Sequence, residues 1–323
     1  MWMGVTGAVQ LEDVQIRLVK QNRPAVGTVV SNELCMNGKS ASYVRHTVID
    51  VSDTALAGAF RVGQSFGVVP PGEDEQGRPH KVRLYSLACA SWGEGGRGNL
   101  IATTPKRLID EYLDAGDVSD HHLFLGVCSN YLCDLRPGDR VRLTGPNGKR
   151  FLLPTDPAAH DYLFLATGTG IAPFRGMVLE LLQNPSGACT SEIHLVMGSP
   201  YTTDLLYHDL FEGLAADHPN FHYHAAISRE RRPDGGRGLY VHDLLTERLD
   251  EFGPLLERSR TLIYVCGVPG MRAGLFRMLA RHGLDGPYLA RGKHVHGVAP
   301  SDWTDADIKR GVRPTDRCML EIY

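Results

Sequence analysis

From about residue 24 to residue 153, apolar and polar positions alternate over short runs. AVGTVVSNELC, YVRHTVIDV, QSFGVVP, KVRLYSLA and RVRLTGP are rich in β-branched and aromatic residues, and Gly, Pro, Asn and Asp separate them. That spacing predicts an antiparallel β-barrel or sandwich. TPKRLIDEYLDAG, at 104–116, predicts a helix closed by its glycine. After LLPTDPAAHD the pattern changes. YLFLATG is an uninterrupted apolar run, as expected of a strand buried in a parallel sheet. PFRGMVLELLQN then has helical spacing. Strands EIHLVMGS, FHYHAAIS and TLIYVCGV come next, alternating with helices DLLYHDLFEGLAADH, LYVHDLLTERLDEFG and GMRAGLFRMLARHG. This half predicts a parallel α/β unit of Rossmann-like type. The expected organisation is an N-terminal arm at 1–23, a β-barrel domain at 24–155 and an α/β domain at 156–323. The boundary is placed in the Pro/Asp-rich stretch at 154–161.

Composition narrows the function classes. The 323 residues are 42% apolar and 22% charged, which are globular values and enough for two domains. A net charge of -3 with a pI near 6.5 argues against a dedicated nucleic-acid binder. No apolar run reaches the ~18 residues of a membrane helix, and the start lacks the basic head and apolar run of a secretory signal. The seven cysteines contain no C-x-x-C pair, which argues against a zinc ribbon or an iron–sulfur cluster. An odd number without a framework suggests reduced thiols in a cytoplasmic protein.

Several short stretches carry candidate chemistry. In FLATGTGIAPFR the buried strand runs into Thr167, Gly168, Thr169 and Gly170, and Pro173 stands where a helix is expected to begin. Glycines let a backbone approach a phosphate, and a helix N-terminus offers free N–H groups with partial positive charge. Either this loop holds a pyrophosphate or it is a turn that packs a helix on a sheet. Ser228 and Arg229 end a later strand, where open α/β sheets bind ligands; a hydroxyl beside a guanidinium suits a ribose 2'-phosphate. Cys266 and Gly267 end the last predicted strand and leave room for a flat ring, or are simply buried structure. In the first half, Arg83, Tyr85 and Ser86 share a strand, the arginine and tyrosine on one face and the serine on the other. Gly126, Val127, Cys128 and Ser129 form a small-residue turn that either grips a second phosphate or caps the adjoining turn of chain.

Taken in order, R-L-Y-S, G-V-C-S-x-x-L-C-D-L-x-P-G-D, G-P-x-G-K, A-T-G-T-G-I-A-P-F-R, S-R-E, V-C-G-x-x-G-M and a final E-x-Y resemble the plant-type ferredoxin–NADP(H) reductases over residues 24–323. The resemblance implies an antiparallel FAD-binding barrel followed by an NADP-binding α/β domain. It assigns Arg83 to the FAD pyrophosphate, Tyr85 to stacking on the isoalloxazine, and the Ser86 hydroxyl to the vicinity of flavin N5. Val127, Cys128 and Ser129 match the second FAD segment. Residues Thr167 to Pro173 match the NADP pyrophosphate loop. Ser228, Arg229 and Tyr240 match the 2'-phosphate and adenine site, and Cys266 and Gly267 the nicotinamide position. Glu321 matches a carboxylate that handles protons with the serine. Tyr323 matches the ring that covers the flavin and moves aside for nicotinamide.

The sequence departs from that pattern in three places. Gly238 stands where the family often has Lys or Arg, with Arg237 one step early and Arg231 and Arg232 nearby. Asp110 replaces the tyrosine expected to stack on adenine, and Tyr112 is the alternative. The stretch ARGKHVHGVAPSDWTDADIKRGVRPTDRC is longer and more polar than the family pattern, either a partner-specific loop or a solvated insertion. The implied function is an FAD-dependent oxidoreductase moving electrons between NADPH and ferredoxin or flavodoxin, docked on basic residues such as Arg17, Lys20, Arg23, Lys81, Lys149, Arg150, Arg272 and Lys293. Three rival readings are the reductase component of a multicomponent oxygenase, of the benzoyl-CoA oxygenase type, a non-catalytic sensor of flavin or nicotinamide, and a nucleotide-binding scaffold without flavin. Intact Ser86, Cys266, Glu321 and Tyr323 argue against the sensor. No nucleic acid and no metal are expected.

Overall fold

A computed structural model describes residues 9–36, 39–40, 42–112 and 122–323. They fall into two compact units. One comprises 13–149 with 175–180; the other comprises the described residues of 1–12 with 150–174 and 181–323.

In the first unit the β-rich segments form β1 (Ala25–Leu34), β2 (Arg45–Asp50), β3 (Ser65–Val69), β4 (Arg83–Ser86), β5 (Leu100–Thr103), β6 (Ile109–Tyr112), β7 (His122–Leu125) and β8 (Arg140–Asn147), with helix α1 (Val127–Asp134) before β8. Six of these strands make one antiparallel sheet in the order β4–β3–β8–β1–β2–β5. The five predicted strand runs became β1 to β4 and β8. Ile49, Phe66, Val68, Val141 and Leu143 are fully buried on its inner face. Beyond the two edge strands, the Ala88 N–H donates to the Ala102 carbonyl at 2.8 Å, and the Thr103 hydroxyl donates to the Ser86 carbonyl at 2.8 Å. The sheet is therefore barrel-like without closing.

Two expectations are corrected here. The segment at 104–116 is not a helix where it is described. β6 pairs antiparallel with β7, with Ile109 opposite Leu125 and Asp110 opposite Phe124; residues 113–116 lie outside the described residues. Cross-strand partners override a helical spacing this short. Val127, Cys128 and Ser129, read with Gly126 as a turn of small residues, are the start of helix α1.

The second unit contains β9 (Asp161–Thr167), the two ends of α2 (Ile171–Leu182, of which 175–180 count with the first unit), β10 (Ile193–Ser199), α3 (His208–Asp217), β11 (Phe221–Ile227), α4 (Val241–Glu247), α5 (Leu249–Glu257), β12 (Thr261–Gly267), α6 (Pro269–Arg281), β13 (Leu289–Arg291), α7 (Asp305–Gly311), β14 (Val312–Pro314) and β15 (Cys318–Ile322). Five parallel strands form a sheet in the order β11–β10–β9–β12–β15. The apolar runs of β9, β10 and β12 are buried along nearly their whole length, as a sheet covered on both faces requires. The pattern LYVHDLLTERLDEFG, expected as one helix, breaks into α4 and α5 at Arg248, whose φ of -111° and ψ of 38° leave the helical region. β15 had no signal of its own in the sequence; five residues with Glu321 among them lack a strand-like run.

The polar 290–318 stretch is a folded element. β13 pairs with β14, and the Thr304 hydroxyl caps α7 by accepting the Asp307 N–H at 3.1 Å. Trp303 and Ile308 are buried in the main core of this unit. The Arg291 guanidinium lies 5.3 Å from the Trp303 ring centre and grips Asp285 through two bonds of 2.6 and 2.7 Å. All seven cysteines are free thiols. No helix among the described residues is long and apolar enough to cross a membrane.

Candidate active site

The carboxyl ends of β9, β11, β12 and β15 gather the predicted residues of the second unit. β9 ends at Thr167 and turns through a short 3-10 segment, Gly168–Gly170, into α2. The helix begins at Ile171, two residues before the expected start, so Pro173 is its third residue. That position still needs no intrahelical N–H. A Cβ on Gly170 would lie 2.1 Å from the Cys266 carbonyl oxygen, so only glycine lets this turn pass the end of β12.

β12 and β15 run in parallel with Cys266 opposite Glu321 and Gly267 opposite Ile322. Burial, reinforced by the Glu321 charge, pushes the Cys266 thiol far above its ordinary range, so it is a neutral, packed group. Tyr323 continues β15, its N–H donating to the Gly267 carbonyl at 3.2 Å. The residue is 61% exposed, but its hydroxyl end is set into the glycine turn. The phenol donates to the Thr167 carbonyl at 2.8 Å and accepts the Gly170 N–H at 3.0 Å; the Thr169 hydroxyl stands 3.3 Å away. Loss of hydration there raises the phenol above the usual tyrosine range, although the Thr169 and Gly170 hydrogen bonds pull the other way.

Ser228 and Arg229 follow β11. The Ser228 N–H donates to the Ser199 carbonyl and the Arg229 N–H to the Pro200 carbonyl, both at 2.9 Å. They line a cavity of about 360 Å³ with Glu230, Arg231 and Arg237. Glu230 is spent on the Thr202 N–H at 2.6 Å and its hydroxyl at 2.8 Å, and Arg237 on Asp243 at 3.4 Å. Among the described residues, neither the Arg229 nor the Arg231 guanidinium has an ion-pair partner. Gly238 sits where a Cβ would come within 2.6 Å of the Ser228 carbonyl, which accounts for the missing basic side chain. Arg232 pairs with Glu247 and Asp234. Tyr240 is exposed at the start of α4, its N–H held by Asp243 at 3.2 Å, and its ring stacks on His242 at 5.7 Å with 3° between planes. Nothing in the sequence had singled out His242.

In the first unit, β4 presents Arg83 exposed and Tyr85 and Ser86 half-buried. The Tyr85 hydroxyl and the Cys128 thiol act on each other, and the Arg83 charge acts on both groups. Burial nonetheless pushes the Cys128 thiol up to about 11. Val127, Cys128 and Ser129 form the first turn of α1, whose preceding residue, Gly126, supplies no side-chain cap. The first N–H groups of α1 therefore have no side-chain cap from Gly126. The Ser129 hydroxyl meanwhile donates to the Gly126 carbonyl at 3.2 Å. The structure thus brings Arg83, Tyr85 and the start of α1 together within one unit. The side chain of Tyr112, the alternative adenine contact, lies outside the described residues.

A parallel sheet with a glycine turn after its central strand, and a hydroxyl–guanidinium pair two strands away, defines a dinucleotide-binding oxidoreductase domain. Residues 164–275 match the family described as "Oxidoreductase NAD-binding domain". The chain is 36% identical over 315 residues to a ferredoxin–NADP reductase of Spirulina sp., covering 96% of this chain and 99% of that one. It is 36% identical to that of Thermosynechococcus vestitus, over 87% of this chain and 72% of the relative, and 35% identical to the chloroplastic enzyme of Spinacia oleracea, over 97% and 79%. The fold is that of the ferredoxin–NADP+ reductase of Plasmodium falciparum, with a TM-score of 0.67 at 23% identity, covering 95% of this chain and 99% of that one. The chain belongs to the ferredoxin–NADP reductase family.

Proposed function

We propose that this protein moves electrons between NADP(H) and a one-electron carrier protein, ferredoxin or flavodoxin, by way of FAD. The observation that carries the reading is the pair Arg229 and Arg231 beside Ser228, without acidic partners among the described residues, in a cavity at the end of β11. Guanidinium groups in that state select a phosphate that NADP has and NAD lacks.

The residues present fit both cofactors. For the nucleotide, Thr167 to Gly170 provide a turn that a Cβ at Gly170 would fill, and Tyr240 offers an exposed ring face for adenine. For FAD, Arg83 and the uncapped N–H groups of Val127, Cys128 and Ser129 would hold the pyrophosphate, and Tyr85 would present its ring. When bound, the flavin supplies a carrier that accepts two electrons together and releases them one at a time. The chain's own part is binding, orientation and proton handling. Cys266, neutral and buried, leaves a small unreactive surface for the nicotinamide, and Gly267 keeps the space beside it. The Ser86 hydroxyl and the Glu321 carboxylate are the groups proposed to hold and pass a proton. Tyr323 shields the turn until nucleotide arrives. Exposed Lys20, Lys81 and Lys149 are proposed to meet an acidic carrier.

The test is to mix the purified holoprotein anaerobically with NADPH, and separately with NADH, and follow the flavin absorption. Fast bleaching by NADPH and slow bleaching by NADH is the expected result. Equal rates would remove the 2'-phosphate role of Arg229 and favour an oxygenase partner. No bleaching with either, in a protein that releases FAD on denaturation, would overturn the enzyme reading.

A further inference from the structure

The other end of the same sheet holds a cluster that the redox reading does not use. The sequence carries E-I-H at 192–194 and H-Y-H at 222–224. Alternate residues of a strand share a face, and β10 pairs with β11 in parallel with His194 opposite His222. Both strands carry this cluster near their amino ends, whereas Ser199 and Ser228 lie at or just past their carboxyl ends. His222 Nε2 is 2.7 Å from Glu192 Oε1, and His194 Nε2 is 3.4 Å from the same oxygen. The two rings overlap with centres 4.5 Å apart. Behind them, His194 Nδ1 is 3.3 Å from His224 Nε2, and Glu251 Oε1 stands 3.9 and 3.7 Å from those nitrogens.

We propose that Glu192, His194 and His222 bind one divalent transition-metal ion of the zinc type, with solvent completing the shell. Their three ligating atoms lie within 4.8 Å of one another. Ligands about 2.0–2.1 Å from a tetrahedral ion are about 3.4 Å apart, so the 3.4 Å contact already has the required size and the 2.7 Å contact has to open by less than 1 Å. Glu192 and His222 are half-exposed and can make that movement, while His194 is buried and fixed. Two imidazoles and one carboxylate suit zinc, cobalt, nickel or copper rather than magnesium or calcium. Two imidazole nitrogens converge on one carboxylate oxygen, which gathers three possible ligand atoms around one point.

The inner triad, His194, His224 and Glu251, is the poorer site. Arg248 Nη1 is 2.8 Å from His224 Nδ1, and Arg248 also pairs with Glu251, so a cation there would meet a fixed positive charge. With the ion on His194 Nε2, the proton of that ring sits on Nδ1 and faces the Glu251 carboxylate, 3.9 Å away, as an outer-shell partner, because the Arg248 guanidinium on His224 Nδ1 leaves the His224 proton on Nε2. Because β11 is the edge strand of the sheet, the ion would staple that edge to β10.

The experiment titrates zinc into chelator-treated holoprotein by calorimetry and follows the thermal unfolding midpoint, with cobalt absorption as a geometry probe. One ion per chain, a higher midpoint reversed by EDTA, and tetrahedral cobalt bands are expected. His222→Ala and Glu192→Gln should each weaken binding about tenfold or more while leaving NADPH-driven flavin reduction unchanged. His296→Ala, an exposed histidine elsewhere, should change nothing. A wild-type protein that takes up no zinc, or an affinity that His222→Ala leaves intact, overturns the site. Neither result depends on whether NADPH reduces the flavin, so the two readings fail separately.

Discussion

The phenol oxygen of Tyr323 accepts the backbone N–H of Gly170 at 3.0 Å and donates to the Thr167 carbonyl at 2.8 Å. The donor that a pyrophosphate would use is therefore already taken by the side chain at the end of β15. Nucleotide has to displace one hydrogen bond to gain another, at a net cost of about 0.5–1.5 kcal/mol. Tyr323→Phe keeps the ring and removes the competitor. NADP+ should then bind about two- to tenfold more tightly, measured as Kd by difference absorption. A weaker Kd would mean that the hydroxyl helps to hold nucleotide.

Arg229 and Gly238 are the two positions on which the proposed 2'-phosphate selectivity is tested. Arg229→Ala removes a charged donor, worth about 1.5–3 kcal/mol, and should raise the KM for NADPH about tenfold or more with little change for NADH. Gly238→Lys restores the basic residue of related sequences, yet its Cβ would lie 2.6 Å from the Ser228 carbonyl. It should therefore lower NADPH selectivity by displacing Ser228, not raise it. Steady-state kinetics with both nucleotides decide the matter; a gain in selectivity would show that the Ser228 backbone gives way easily.

These residues also show what the sequence makes legible. Buried β9, its glycine turn and the Ser-Arg pair after β11 were readable because long apolar runs and glycines state local requirements. β15 was not, because five residues become a strand only through pairing with β12. The helix expected at 104–116 failed for the same reason: Ile109 finds its partner in Leu125, 16 residues on. His242, which backs the Tyr240 ring, and the hold of Tyr323 on Gly170 depend on tertiary approach, and no spacing encodes them. The 290–318 stretch reads as a loop or insertion because its polar residues outnumber the five that anchor it, Val295, Trp303, Ile308, Val312 and Cys318.

The thiols should separate sharply in alkylation. Burial pushes Cys89 and Cys318 up to about 12 and Cys128 and Cys133 up to about 11, and it takes Cys266 higher still. The thiolate is the reacting form. Cys35 and Cys189, both half-exposed, should therefore label first with iodoacetamide at pH 8, and the other five only on unfolding. Peptide mapping after brief labelling reads this out. Early modification of Cys266 would contradict a packed, neutral thiol at the end of β12.

Arg175 and Glu94 make a bidentate ion pair, with both contacts at 2.8 Å, and the same guanidinium donates to the Ala88 carbonyl at 2.6 Å. Burial alone would raise the Glu94 carboxyl. Hydrogen bonds and charge from His46 and Arg175 outweigh it and hold the group at about 2, against 4.5 unperturbed. A carboxylate held low in the folded state stabilises the protein above its unfolded pKa, and that contribution is lost as pH falls from 4.5 toward 2. Full linkage over this interval would amount to about 3 kcal/mol, an upper figure because the pair retains some solvent contact. Glu94→Gln should lower the urea midpoint at pH 7 and flatten its fall between pH 4.5 and pH 3. Arg175→Met should destabilise at pH 7 by more than Glu94→Gln, since it leaves a largely buried carboxylate without its main partner. Parallel pH profiles for wild type and Glu94→Gln would show that this carboxylate is not held low by the folded state.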